Sequence, residues 1–217
     1  MIFNIIIAYI VPVIVWIVWK RKASARTLPL IVGMVGYMFI SFARAFARVV
    51  ILTDSLKGNP WMFYIVSALL SGVFEEVGRY VIYRYAIPNY DRRDDCISYG
   101  IGHGAIEGIL THRGVLNNDL IDSILDCGAF ATGIAFHTAM SVLVFAAAHY
   151  DKKKLLAAAI GLHTVIDIIP AVYYMEKITV GELLLLHTLY IIIVCWFAYV
   201  VYRGFREPVQ RGNMTEH

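Results

Sequence analysis

Charged residues are scarce in this sequence, and cysteines are few. Only 16% of the 217 residues are charged, whereas 59% are hydrophobic. A soluble domain is nearer a quarter charged and half apolar. The three cysteines are widely spaced and odd in number, which argues against a zinc finger, a redox CxxC pair and a disulfide framework. The net charge of +3 is small and gives no indication of a nucleic-acid partner.

The sequence also lacks the features that divide a chain or target it for processing. No basic segment precedes the first apolar block, and the positive charges follow it instead. This order favours a retained first span over a cleaved signal peptide. No Pro-rich or Ser-rich linker and no clear internal repeat occurs. We therefore expect one integral-membrane domain over residues 1–217, with its motif-bearing core at about 61–176.

What the sequence has instead is long apolar blocks, seven of which are candidate spans. A helix needs about 20 mostly apolar residues to cross a bilayer. The blocks lie at about 2–19, 28–52, 61–87, 97–111, 127–149, 155–174 and 180–202. The fourth is short, and an amphipathic stretch around 120–125 precedes the fifth. We predict an all-α, polytopic transmembrane helix bundle of about seven spans, multi-pass in the cell membrane and surrounded by lipid.

Lysine and arginine are unevenly distributed between the loops. Thirteen of them fall on one side of the predicted bundle, in the segments 20–26, 84–93, 152–154 and 203–211. The other side has only Lys57, Arg113 and Lys177. Because basic residues concentrate in cytoplasmic loops, this pattern predicts an outside N-terminus and a cytoplasmic C-terminus.

Ionisable residues lie near the middle of four spans, where lipid would be expected. Eight of them form the candidate site: Glu75, Glu76, Arg79, His103, Glu107, His137, His163 and Asp167. Placing one charge at the centre of a membrane helix costs roughly 2.5–3.5 kcal/mol on insertion scales. These groups must therefore face the bundle interior, pair with one another or line a wet cavity.

The spacing of the two glutamates suggests different roles for them. Adjacent residues are about 100° apart on a helix, so Glu75 and Glu76 point in different directions. Arg79 is within one turn of both and can neutralise either. One glutamate could thus be held by Arg79 while the other faces the cavity as a base.

Spacing also predicts two acid–histidine pairs. His103 and Glu107 are four residues apart, as are His163 and Asp167, so each pair shares one helix face. Four glycines of the fourth span flank the first pair and would let a neighbouring helix approach closely.

These residues fall into four motifs in one order along spans three to six. They are Glu75-Glu76-x-x-Arg79, Gly102-His103-Gly-x-x-Glu107, Phe136-His137 and His163-x-x-x-Asp167. The set, covering about residues 71–167, resembles the YhfC family of intramembrane peptidases, which is related to PrsW and to the type II CAAX-processing proteases. PrsW-like proteins have lysine where Arg79 stands, and CAAX-type proteases space this arginine one residue later. Farnesylated CAAX substrates therefore do not follow from the resemblance.

The resemblance implies hydrolysis of a peptide bond in a membrane peptide or protein. Glu75 or Glu76 would be the general base that activates water, and Glu75 is favoured as the first glutamate of the motif. His137 and His163 would hold the water and polarise the developing oxyanion.

The remaining residues of the motifs would have supporting roles. Arg79 would orient the glutamate pair, and Glu107 and Asp167 would orient histidines. Arg44 in the second span is deep enough to pair with a core carboxylate, whereas Arg48 should extend towards the outer surface. His187 is assigned a structural role.

Whether a metal takes part is left open by the sequence. His103, His137, His163 and one glutamate could form a zinc site with an open water position. The sequence has no HExxH motif, in which two ligands and a base share one helix. A cofactor-free mechanism and a zinc mechanism are both compatible with these residues.

Two other classes of function are compatible with a buried polar cluster. A non-catalytic membrane scaffold would use the cluster only to stabilise helix packing, as does a γ-secretase subunit that resembles these proteases. A small proton or ion transporter would use it as a relay, although no inverted repeat is evident.

The peptidase hypothesis predicts that Glu75→Gln or Glu76→Gln abolishes cleavage of a membrane-peptide substrate, because a glutamine cannot accept the proton of water. Both variants should still insert and fold. Normal cleavage by both would rule out the glutamate mechanism.

Overall fold

The described part of the chain consists of helices joined by short connections. The computed structural model describes the backbone of residues 9–52, 56, 58–111 and 120–205, and their side chains except at 111, 120–127 and 129. Seven long helices lie in these ranges: α1 Val11–Ala23, α2 Thr27–Ile51, α3 Pro60–Val81, α4 Arg93–Thr111, α5 Leu120–His149, α6 Lys154–Tyr174 and α7 Val180–Arg203. The predicted all-α bundle is confirmed, and each helix corresponds to one predicted span.

Four of the helices are long and apolar enough to cross a membrane: α2, residues Phe130–His149 of α5, α6 and α7. The third and fourth helices carry the charged motifs, which lower their mean hydropathy. Residues 2–8 of the predicted first span and the side chains of the stretch 120–125 lie outside the described residues. The count of seven spans stays a prediction.

The helix boundaries follow local sequence signals. Asn59 accepts a hydrogen bond from the backbone N–H of Met62 at the start of α3, and Pro60 occupies the first turn, where its missing N–H is not needed. Thr179 and Glu182 form a capping box at the start of α7. At its other end α3 continues as a π-helical turn, Ile82–Ala86.

The C-terminal half of α5 is the centre of the bundle. Leu143, Val144, Phe145 and Ala146 have no exposed surface. This helix packs against α4, α6 and α7. The outer helices instead expose large apolar side chains, such as Phe42 of α2, which is 79% exposed. Such surfaces are expected where a helix faces lipid.

Close backbone contacts place α4 between α2 and α5. An added Cβ at Gly102 would lie 2.1 Å from the carbonyl oxygen of Leu30 on α2. On the opposite face, a Cβ at Gly104 would lie 2.8 Å from Cα of Ile134 on α5. These glycines allow three helices to touch at the level of His103, which lies between them in sequence.

The basic segments meet at one end of the bundle. Arg26, before α2, forms an ion pair with the buried carboxylate of Asp95 at the start of α4. Tyr202 near the end of α7 donates a 2.8 Å hydrogen bond to Asp94. The segments before α2 and before α4 and the end of α7 therefore lie together, while the predicted orientation in the membrane stays a prediction.

The α2–α4 contact should be intolerant of any side chain at position 102. Gly102→Val forces the two backbones apart, and we expect a loss of roughly 1–3 kcal/mol in the free energy of unfolding. SDS titration of the protein in mixed micelles measures this loss. Gly161→Val is the matched control, because a Cβ there has no neighbour within 4 Å. Equal losses in the two variants would contradict the close approach.

Candidate active site

All eight candidate residues contribute to one polar cluster in the bundle interior. Helix α3 supplies three of them, α4 and α6 supply two each, and α5 supplies one. Glu75, Glu76, Arg79 and His103 have no exposed surface. Together with Arg44 of α2 we call these nine residues the site cluster: Arg44, Glu75, Glu76, Arg79, His103, Glu107, His137, His163 and Asp167.

Both carboxylate oxygens of Glu75 are engaged. Arg44 forms an ion pair with Oε1. Oε2 lies 3.2 Å from Nε2 of His103 and 3.7 Å from Nε2 of His163. Glu75 therefore contacts side chains from three other helices, and the predicted pairing of Arg44 with a core carboxylate is present.

Arg79 holds Glu76, as one of the two predicted arrangements requires. Its guanidinium lies 2.5 Å from Oε2 of Glu76. The other oxygen of Glu76 accepts a 2.6 Å hydrogen bond from Nδ1 of His163. The expectation that the remaining glutamate faces the cavity is wrong for Glu75, because Arg44 and His103 enclose it completely.

Arg79 also determines which nitrogen of His137 carries a proton. Its Nη2 lies 3.3 Å from Nδ1 of His137. Because a guanidinium can only donate hydrogen bonds, Nδ1 is the acceptor and the neutral ring has its proton on Nε2. That nitrogen contacts Oε2 of Glu107. Glu107 thus orients a histidine as expected. This histidine is His137 of α5, however, and not His103, which lies four residues before Glu107 on α4.

His103 has an unused nitrogen at the centre of the cluster. Nδ1 is buried and has no hydrogen-bond partner among the described residues. The ring packs against Tyr37, with 4.9 Å between centroids, and against His137, at 4.7 Å. A buried nitrogen without a partner is unfavourable unless a ligand or ion satisfies it.

Four donor groups converge closely enough to hold a metal ion. Single ligand atoms of Glu75, His103, Glu107 and His137 all lie within 4.8 Å of one another. This group differs from the expected three histidines and one glutamate: it omits His163, which is hydrogen-bonded to Glu76, and it contains a second carboxylate.

The donor set and the charge of the site cluster both fit a divalent cation. Imidazole nitrogens and carboxylate oxygens are ordinary zinc ligands. The cluster has four carboxylates and two guanidinium groups, which leaves two negative charges when the histidines are neutral. One divalent cation would balance them in a region of low dielectric.

A cavity of about 190 Å³ adjoins the site cluster. Its polar lining residues are Glu107, His137, His163, Asp167 and His187. The side chain of Glu107 is 21% exposed, in contrast to the fully enclosed Glu75. The carboxylates that border the cavity are therefore Glu107 of α4 and Asp167 of α6, and not Glu75 and Glu76 of α3.

Polar side chains line the contact between α2 and α3, and the sequence predicted only part of this arrangement. Arg44 lies 3.4 Å from Oγ of Ser71. One turn further, Arg48 donates to Ser67 rather than extending freely to the surface. The signal was present, because the two serines and Glu75 are spaced by four residues on one face of α3.

Comparison with known proteins assigns the chain to a family. A family model described as "YhfC intramembrane metalloprotease" matches residues 7–126 and 129–190. This chain belongs to the YhfC family. The match covers every residue of the site cluster, and the chain is an integral membrane protein.

A second comparison found a relative within the family. "Uncharacterized membrane protein YhfC" of Bacillus subtilis (strain 168) is 30% identical over 112 residues, which are 48% of this chain and 43% of the relative. The matched region thus spans less than half of the length of that relative. No solved structure matches this member of the YhfC family.

Removal of Arg44 should destabilise the protein strongly. Arg44→Met leaves the carboxylate of Glu75 buried without its cation, and we expect a loss of about 3 kcal/mol in the free energy of unfolding. Arg48→Met, which removes a contact to a neutral serine, should lose less. In the double variant Arg44→Met/Glu75→Gln part of the loss should be recovered. SDS titration of these variants and of Glu75→Gln measures the losses, and a double variant that loses as much as Arg44→Met and Glu75→Gln together would contradict the pairing.

Proposed function

We propose that this YhfC family member is a metal-dependent intramembrane peptidase that hydrolyses a peptide bond of a membrane-associated peptide or protein. One observation carries the proposal: Glu75, His103, Glu107 and His137 converge from three helices beside a cavity. Family membership supports it, because the family is described as one of metalloproteases.

His103, His137 and Glu75 would hold the ion, which by its donor chemistry we take to be zinc, and Glu107 would lie beside it. When bound, the ion would supply a water activated at neutral pH and polarise the scissile carbonyl. Arg44 would keep Glu75 charged and oriented. Arg79 would hold the ring of His137 in position through Nδ1, and Nε2 of His137 would lose its proton on binding the ion.

Glu107 is the better candidate for the residue that takes the proton of the attacking water. It lines the cavity and is partly exposed, whereas Glu75 has no access to water. The preference for Glu75 as base, made from motif order, is replaced in this proposal. Glu75 would instead anchor the site.

His163 is the candidate for stabilising the developing oxyanion. It lines the cavity, and Glu76 accepts the proton of its Nδ1. This contact fixes the ring, with Nε2 lying 3.7 Å from Oε2 of Glu75. With protons on both nitrogens, the ring would donate from Nε2 to the oxyanion. Asp167, one turn along the same helix, lines the same cavity and would keep that side of the site polar.

Metal content separates the roles of the two glutamates, because Glu107→Gln should keep its zinc whereas Glu75→Gln should not. Purified wild type should contain about one equivalent of zinc after equilibration and dialysis, measured by mass spectrometry. Glu75→Gln and His103→Ala should lose most of it, because each removes a ligand. Asp151→Asn is the control, since this carboxylate is 84% exposed outside the cluster. Retention of zinc by Glu75→Gln and His103→Ala together would exclude this site.

Catalysis is tested with single-span peptides of about 20 apolar residues in proteoliposomes, with new termini detected by mass spectrometry. Wild type and Asp151→Asn should cleave. Glu107→Gln should lose cleavage by about a hundredfold or more, as expected for a lost general base, while remaining folded. A Glu107→Gln variant that cleaves normally would refute its role. If no protein cleaves, but wild type conducts protons and Glu107→Gln does not, a transporter is supported instead.

A further inference from the structure

The cavity beside the site cluster is lined by apolar as well as polar side chains. The apolar ones are Phe130 and Phe136 of α5, Ile166 of α6 and Ile191 of α7. The volume of about 190 Å³ is several times the ~30 Å³ that one water occupies in the liquid. A cavity that combines apolar side chains with acids and histidines is suited to an apolar side chain attached to a reacting peptide group.

Gly133 of α5 lies on the cavity side of its helix. Phe130 is three residues before it and His137 four residues after it, so all three share one face, and all three line the cavity. An added Cβ at Gly133 would have no heavy atom within 4 Å. Position 133 therefore has unfilled space in front of it.

The other two glycines of the cavity differ from Gly133. A Cβ at Gly108 would lie 2.1 Å from the ring of Phe130, and one at Gly104 would lie 2.8 Å from Cα of Ile134. Helix packing explains both of these glycines. It does not explain Gly133, where alanine would fit and would be the better helix former.

We infer that Gly133 sets the size of the substrate residue that this cavity accepts, and that the cavity takes a large apolar side chain, such as leucine or phenylalanine, next to the scissile bond. This inference rests on the proposed peptidase function. The absence of a side chain at 133 keeps open the space between Phe130 and His137. A leucine there would fill this space without disturbing the α4–α5 contact.

The cleavage test uses a mixture of single-span peptides of about 20 residues that carry glycine, alanine, leucine or phenylalanine at their central positions. Wild type should cleave beside leucine and phenylalanine. Gly133→Leu should lose cleavage beside these residues by roughly tenfold or more and retain it beside glycine or alanine. Gly161→Leu is the matched control, because a Cβ at Gly161 also has no neighbour within 4 Å. An unchanged residue preference in a folded Gly133→Leu protein would overturn the inference.

A binding test separates this inference from the proposed function. N-acetyl-phenylalanine amide, a single capped residue, should raise the melting temperature of wild type and Gly161→Leu but not of Gly133→Leu. If no protein cleaves any peptide yet this difference is found, the peptidase proposal fails and the subsite stands. If all three proteins respond equally to the amide, the subsite is refuted whether or not cleavage occurs.

Discussion

The pairing of buried carboxylates with guanidinium groups is the constraint on which this bundle depends. Glu75 contacts Arg44 of α2, and Glu76 contacts Arg79 of its own helix. In a low-dielectric interior an unpaired charge is strongly unfavourable, so α2 must pack beside α3 at this depth. His163 bonds to Glu76 and brings α6 to the same place. A requirement for charge compensation thus positions three helices around one point.

Close contacts between helix backbones also position the site residues. Gly102 and Gly104 let α4 touch α2 and α5 without intervening side chains. His103 consequently reaches the ring of His137, and ligand atoms from α3, α4 and α5 come within 4.8 Å of one another. Sites carried by packed helices are held more precisely than sites on loops. The interfaces of α4 with α2 and α5 therefore contain the packed glycines and also position the ligand atoms of the site.

Sequence predicted the helices and the membership of the site, but not all contacts within it. The i,i+4 spacing placed Glu107 on the face of His103, yet its carboxylate contacts His137 of another helix. Periodicity specifies a common face and not which neighbouring helix lies opposite that face. For the same reason Arg44 could only be proposed as a partner of some core carboxylate. Its contact with Glu75 and the involvement of Ser71 depend on the register of α2 against α3.

The sequence by itself determined that apolar helices carry a buried set of acids, histidines and arginine, because composition, spacing and motif order are local properties. Which carboxylate is enclosed and which borders a cavity depends on the packing of the helices. Glu75 is enclosed by side chains from other helices, whereas Glu107 borders the space left in front of Gly133. These differences arise from the distances between the helices. Buried charged residues form a candidate metal centre only where those distances bring their ligand atoms together.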